Sequence, residues 1–427
     1  FEKVNYYLGL MTNATEIESK FMVHIKEALN AEISLGTVTN LYEAREWLKY
    51  TFFYIRLCKR PSQYKKELAT LLGKDPITIK SEVYQFLDDL LNRYLKEIND
   101  LRLIRFDQKN GFLNSTDLGR IASNYYIKCE TMTHFCKELK IHEDIEERSN
   151  KEVHLSDERL LSIVCRAKEF ENIRIRPEEI PELNVVAKSG FLKTLGNVYQ
   201  QMQTDINIDK DLERTVHDDS EKVYVLIQAY LMNIEFENSS LVADTIYIVQ
   251  NVSRILRCML DICMKKNMAA AVESLYNWCK YIENKMIPDD HPLRQFCLDT
   301  NVGNYSQMRS RKEFKEGFLH ADIVEKLSDF SLDELRELEN EEISYKAGLK
   351  KYGPIIKKYV SYIPKINVEW DVKPIAQTIL KMVVTVKCEF NWTSRWHLRN
   401  EIFTIIVDDE LEILHSEQIL INKRAVE

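Results

Sequence analysis

The chain has 427 residues, 45% of them hydrophobic and 30% charged. It can therefore bury cores in roughly two to four domains and is not disordered overall. Its 59 basic and 67 acidic side chains give a net charge of −8, which excludes a uniformly basic nucleic-acid binder but not a local basic groove.

Only 11 Gly and 9 Pro occur, under half the usual shares of roughly 7% and 5%. Long uninterrupted elements, most simply helices, follow. Nine Cys without a CxxC exclude a disulfide framework and a zinc finger and fit buried thiols in a reduced intracellular compartment. No apolar run approaches the ~20 residues of a membrane span, so no membrane partner is expected. The chain begins with Phe1 rather than Met. It reads as a cleaved product or a piece of a longer polypeptide, without the apolar core of a signal peptide.

In chain order, residues 16–30 carry Ile17, Phe21, Ile25, Ala28 and Leu29 at helical spacing. Asn40 is expected to cap a helix over 41–59, with Glu43 placed as in a capping box. Arg60-Pro61 ends it, and a further helix is predicted over about 77–99. The period then changes. Leu101 to Phe106 reads as a strand, Asp107 to Gly111 as a turn, and Phe112-Leu113 as a return strand. Ser115 or Thr116 caps the next helix. Helices followed by a short hairpin describe a winged helix.

Residues 118–300 are predicted mostly helical, over 118–138, 156–170, 178–188, 220–232, 240–266, 268–285 and 290–297. The acidic stretch 189–219 reads as a loop or loosely helical insertion, and 301–313 as a linker. Ser331 caps a helix in a compact unit over 314–363, with Glu334 at its third position. Beyond Pro364 about five to seven short strands suggest an antiparallel sandwich.

Catalytic motifs are absent. No Gly-x4-Gly-Lys-Ser/Thr loop occurs, and Gly73-Lys74-Asp75 reads as a turn. There is no His-Glu-x-x-His and no Gly-x-Ser-x-Gly. Asp289-Asp290-His291 reads as a polar loop whose Asp caps the following helix. No metal site and no catalytic residue is expected.

The helix 240–266 is apolar around much of its circumference and must be buried on most of it. Yet Tyr247, Gln250, Asn251, Arg254 and Arg257 share one strip. Amide and guanidinium groups on such a strip can contact the phosphates and bases of a single strand. The same spacing suits ordinary ion pairs among Asp244, Arg254 and Arg257. A second basic cluster joins Lys350, Lys351, Lys357, Lys358 and Lys365 with Tyr352, Tyr359 and Tyr362, either a phosphate-binding patch or a solvated helix face.

Several stretches resemble one family. Leu29 to Asn40, with Ala44, Trp47-Leu48 and Tyr50-Thr51 through Arg56, resembles a signature that follows the second RecA-like domain of Ski-two-like helicases. Phe112 to Ile127 resembles the passage from their winged helix into the Brl, or Sec-sixty-three-homology, module. Ala167 to Phe170, Ile175 to Ile180, Asp244 to Arg257, His291 to Phe296, Asp409 and Leu414 to Glu417 follow in the family's order. The early motif looks most like the first cassette of tandem-cassette RNA helicases.

The resemblance implies a mainly α chain with a small all-β C-terminal domain. Its parts would be a winged helix (1–120), a helical bundle (121–310), a helix-loop-helix (311–365) and an immunoglobulin-like sandwich (366–427). It implies that helix 240–266 is a ratchet against a translocating strand of RNA or DNA. ATP and magnesium would bind two RecA-like domains upstream, leaving this chain without a cofactor of its own. A second cassette and complex subunits are implied as partners, with work in the nucleus or cytoplasm, in translation quality control, DNA repair or splicing. Two features depart from the family: the long 189–219 insertion, and Ile402-Phe403 where the family tends to have tryptophans.

The alternative is a non-catalytic scaffold of the kind in proteasome-lid-like complexes, whose winged helix follows the helical array rather than preceding it. A translocon protein bearing the same homology region would show membrane spans and a J-domain His-Pro-Asp, and the sequence has neither.

Overall fold

A computed structural model describes residues 2–12, 17–61, 64, 76–141, 156–192, 216, 218–297, 319, 324–346, 348, 352–376, 379–397, 399–409 and 412–426. The helices are α1 (Glu2–Met11), α2 (Ile25–Leu35), α3 (Leu41–Lys49), α4 (Phe52–Lys59), α5 (Pro76–Asp100), α6 (Asp117–Asn124), α7 (Cys129–Glu138) and α8 (Asp157–Cys165). They continue with α9 (Ile180–Ser189), α10 (Asp219–Leu231), α11 (Ser239–Lys265), α12 (Ala269–Asn284), α13 (Leu332–Glu337), α14 (Asn340–Lys346), α15 (Gly353–Tyr362) and α16 (Lys423–Val426). The strands are β1 (Ile104–Phe106), β2 (Leu113–Ser115), β3 (Ile366–Ala376), β4 (Ile379–Cys388), β5 (Asn400–Asp408) and β6 (Ile413–Asn422). The chain is mainly α with small antiparallel sheets toward its C-terminus. It divides into a first unit (1–181, 192–224 and 246–266) and a second (182–191, 225–245 and 267–427).

In the first unit, α2 packs on α5, α6 and β2, and α3 packs on α5. Ile25, Leu29, Leu48, Leu87, Leu91 and Leu95 are fully buried among them. The β1–β2 hairpin pairs Ile104 with Ser115 and Phe106 with Leu113. A third piece joins it where Leu113 N donates to Thr39 O at 2.8 Å and Leu41 N to Gly111 O at 2.9 Å. This is the helix-and-hairpin arrangement expected from the change of period.

Asn40 caps α3 as expected, its side chain accepting from Glu43 N at 3.0 Å. The Glu43 carboxylate reaches one residue further back than a capping box, to Thr39 N and Oγ1, both at 2.7 Å. The helix expected over 41–59 is two. Thr51, in extended backbone, accepts from Tyr54 N and restarts the chain as α4. Thr116 rather than Ser115 caps α6, accepting from Gly119 N. A Cβ on Gly119 would lie 2.0 Å from Leu103 O, so no larger residue fits this crossing.

The helix expected over 118–138 also breaks, into α6 and α7, at Tyr126 with φ +53°. This closure recurs. After α5, α6, α7 and α10 the left-handed residue is Arg102, Tyr126, Lys140 or Asn233. In each case the next residue, Leu103, Ile127, Ile141 or Ile234, donates its N–H five residues back into the last turn. These are Schellman closures, in which glycine is the usual left-handed residue. Here the apolar residue that follows carries the anchor: Leu103, Ile127 and Ile141 are buried.

In the second unit, Ser331 and Glu334 form the expected capping box of α13. Leu293, Phe296, Leu327, Leu335, Ile343 and Ile356 make the core beneath α13, α14 and α15. His291, not an Asp, caps the short 3-10 turn Pro292–Phe296: its Nδ1 accepts from Leu293 N and its Nε2 faces Phe330 O at 3.0 Å. Among the described residues, the expected five to seven short strands are instead four long ones in two antiparallel ladders, β3–β4 and β5–β6. Pro374 does not end β3, because the register shifts there and a bulge tolerates its missing N–H. On one face of β3–β4, Val368, Trp370 and Val372 oppose Val386, Val384 and Met382. Trp370 is 70% exposed there. Residues 301–313 and most of 189–219 lie outside the described residues.

Lys140→Gly is expected to raise the unfolding free energy by about 0.5–1 kcal/mol by relieving the left-handed cost; urea unfolding at unchanged m-value measures it, and a loss of stability would refute the closure argument. His291 and His134 give a pH dependence. Burial pushes both rings below the ordinary histidine value, against the hydrogen bonds to Phe330 O and Ile163 O. The unfolded rings titrate near ~6.5. The stability tied to the neutral rings is therefore full above that pH and lost as pH falls through the lower folded values. His291→Asn keeps a capping acceptor without the titration and should flatten the acid slope of unfolding free energy against pH; an unaltered slope would exclude His291 as a source.

Candidate nucleic-acid interface

The strip expected on helix 240–266 lies on α11, which has 27 residues. Asn238 Oδ1 receives Ser240 N at 3.0 Å just before its first turn, and Lys265 in the last turn complements the helix dipole. Ile248, Val252, Ile255, Leu256, Met259 and Ile262 are fully buried. This apolar side fixes the rotation of the helix and hence where the polar strip faces.

The strip residues lie in the first unit's part of α11, and three of them form a chain along it. The Tyr247 hydroxyl donates to Glu169 O at 3.0 Å. Asn251 Nδ2 donates to Tyr247 O at 2.7 Å, and its Oδ1 receives Arg254 Nη2 at 2.6 Å. Arg254 Nη1 then donates to Tyr125 O at 3.0 Å and Tyr126 O at 2.6 Å. Arg254 thus closes the C-terminus of α6, whose last carbonyls lack helical donors. Gln250 and Arg257 are exposed on the same strip.

Two residues that periodicity could not indicate complete the arrangement. Tyr125 packs against α11, its hydroxyl donating to Asp261 Oδ2 at 2.9 Å, and burial with the Asp261 hydrogen bond pushes its phenol well up. Tyr126 stands 85% exposed beside the carbonyl that Arg254 holds. Behind Tyr247, the Glu169 carboxylate is buried and receives Lys128 N at 2.8 Å and Thr131 Oγ1 at 2.6 Å. An amide and guanidinium groups on a braced helix, with an exposed aromatic in the turn beside it, have the chemistry of a single-strand contact.

The second cluster is described only in part. Lys350 and Lys351 lie outside the described residues. Lys357 Nζ donates to Leu338 O at 2.9 Å, closing α13. Lys365 pairs with Asp333 at 3.2 Å. Tyr359 is core, packed on Phe296 at 5.1 Å between ring centroids. Lys358 alone of the described lysines proposed for this patch is exposed. Among the described residues no group of His, Cys, Asp and Glu could hold a metal ion, and no helix is long and apolar enough to cross a membrane.

Comparison with known proteins follows the same outline. The Sec63 Brl domain family matches residues 115–427, and a Winged Helix-turn-helix domain matches residues 18–108. Activating signal cointegrator 1 complex subunit 3 of Gallus gallus is 30% identical over 430 residues, covering 100% of this chain and 17% of that protein. DExH-box ATP-dependent RNA helicase DExH12 of Arabidopsis thaliana is 31% identical over 432 residues, and DExH14 of the same plant 29% over 428. The chain spans 17% of the length of each of these relatives.

Arg254→Ala removes the donor to two carbonyls and to Asn251. It is expected to cost about 1–3 kcal/mol of unfolding free energy, while Gln250→Ala stays within about 0.5 kcal/mol. Denaturant titration of both variants checks this, and equal effects would reject the bracing role.

Proposed function

The chain belongs to the Sec63 Brl domain family, and on that premise we propose that it is the strand-guiding module of an ATP-dependent helicase acting on RNA or DNA. The observation that carries this reading is the braced strip of α11. Tyr247 and Arg254 are tied to backbone of neighbouring segments, with Asn251 linking them along the helix, so Gln250 and Arg257 project from a braced rail beside Tyr126 of the α6–α7 turn. A strand passing this rail would stack a base on Tyr126 and place phosphates on the guanidinium side.

In the whole protein, two RecA-like domains upstream would bind ATP and magnesium and drive unwinding in the 3′→5′ direction. A second cassette would follow, as in tandem-cassette RNA helicases. The names of the relatives, an activating signal cointegrator complex subunit and DExH-box RNA helicases, support RNA as the strand and a multiprotein complex as the setting. A winged helix over 1–120, a bundle over 121–310, a helix-loop-helix over 311–365 and an immunoglobulin-like sandwich over 366–427 would be the parts of this module. The nucleus or cytoplasm would be its place of work.

The test uses the protein with its upstream motor domains. Gln250→Ala/Arg257→Ala should weaken single-stranded RNA binding and flatten its dependence on the logarithm of salt concentration by about one unit for each phosphate no longer neutralised. Tyr126→Ala should cost about tenfold in affinity. The 427-residue chain alone should turn over no ATP. Detectable turnover, or binding and unwinding unmoved by all three substitutions, would reject the reading. Unmoved binding would favour the interaction scaffold instead, for which the exposed apolar face of β3–β4 is the supporting feature.

A further inference from the structure

Five cations of the first unit line one cavity, and the strand-guiding role uses none of them. The cavity holds about 490 Å³ and is walled by the end of α5, β1, the start of α6 and the end of α11. Arg102 follows the end of α5, Arg105 lies on β1, Arg120 on α6, and Lys265 and Lys266 close and follow α11. Asp117 is the one carboxylate on the wall, and it pairs with Arg120 at 3.0 Å. Among the described residues no carboxylate pairs with Arg102, Arg105, Lys265 or Lys266. A chain of net charge −8 thus gathers a local formal charge of +4 in one concavity.

This is not the solvated face of one helix. The cations come from elements up to about 160 residues apart in sequence and converge, so their mutual repulsion is imposed by the fold. Arg102 is pinned there: it takes a left-handed φ of +58°, and its carbonyl receives Thr116 Oγ1 at 2.8 Å. Arg102 and Lys266 also act on one buried thiol. Burial pushes Cys136 up to about 11, with Lys266 and Arg102 pulling against it.

The wall contains no aromatic ring, so it offers no platform for nucleic-acid bases. Its volume falls in the small-molecule range of roughly 300–1,000 Å³. Guanidinium forks and ammonium groups arriving from several sides suit phosphates clustered on a small scaffold.

We propose that this cavity binds a compact polyphosphorylated anion, held by Arg102, Arg105, Lys265 and Lys266. Calorimetric titration of the full chain at physiological ionic strength tests it, with inositol hexakisphosphate and inorganic tripolyphosphate as separate probes. One-to-one binding is expected, weakened at least about tenfold in Arg102→Ala/Lys266→Ala. The ligand-free unfolding midpoint of that variant should be unchanged or raised, since repulsion is relieved. Arg105→Gln/Lys265→Gln, altering two exposed side chains, should weaken binding likewise and gives an independent answer should the first pair fail to fold. No measurable binding of either probe, or full affinity in the folded variants, overturns the proposal. So does single-stranded RNA that displaces hexakisphosphate through these residues more tightly than tripolyphosphate does, which would make the cavity part of a strand path. Binding to phosphatidylinositol bisphosphate vesicles without binding to either soluble probe overturns it as well.

Discussion

A 27-residue helix without glycine or proline keeps its place only where most of its circumference is dry. That constraint governs α11 and, through it, the first unit. Its buried side, from Ile248 to Cys263, leaves one strip for polar groups. The neighbouring elements are fitted to that strip by single directed contacts: Tyr125 on Asp261, Arg254 on the end of α6, Tyr247 on Glu169 O. Apolar burial supplies most of the stability. The polar contacts add direction, because each fixes which carbonyl meets which donor and so the axial position of the helix.

The same division of labour appears around α10. Lys222 is fully buried, with its Nζ 2.6 Å from Glu179 and 2.9 Å from Arg174 O. Arg176 holds the other carboxylate oxygen of Glu179, and Asp219 receives Ile175 N at 2.9 Å. Desolvating such a pair costs about as much as the attraction returns. Its effect is positional: segment 174–179 is clipped to the first turn of α10 at one register.

Much of this was legible where the physics is local. Asn40, Thr116 and Ser331 announce their helices because a cap acts within three residues, and the period of α11 exposes its polar strip. What failed was of two kinds. Breaks at Thr51 and Tyr126 were hidden because the apolar pattern runs on through them, and the turn is closed by a residue with no glycine to advertise it. Partners distant in sequence were hidden altogether. Arg254 could be placed on a strip, but its acceptors lie 128 and 129 residues earlier, and Lys222 reads as a surface lysine until Glu179 meets it. The basic cavity was invisible for the same reason, since no single window of sequence contains it.

The shortage of glycine then acquires a structural meaning. A Schellman closure with glycine at its left-handed position presents no side chain there; one with another residue presents a side chain at the helix end and bears a steric cost. In the first unit that cost is offset by an apolar residue buried immediately afterwards, Leu103, Ile127 or Ile141. Two of these three closures place their left-handed residue at a proposed binding surface: Arg102 in the cationic cavity and Tyr126 beside the guanidinium of Arg254. The bonds that close the helix fix the backbone beside this position. A side chain held there reaches a ligand from a fixed point, which lowers the ordering cost of the contact it makes. Substituting glycine at Arg102 or Tyr126 would ease the backbone and remove the contact together. At Lys140, which lines neither surface, only the easing would remain, so the comparison separates the cost of the left-handed turn from the use of the side chain it carries.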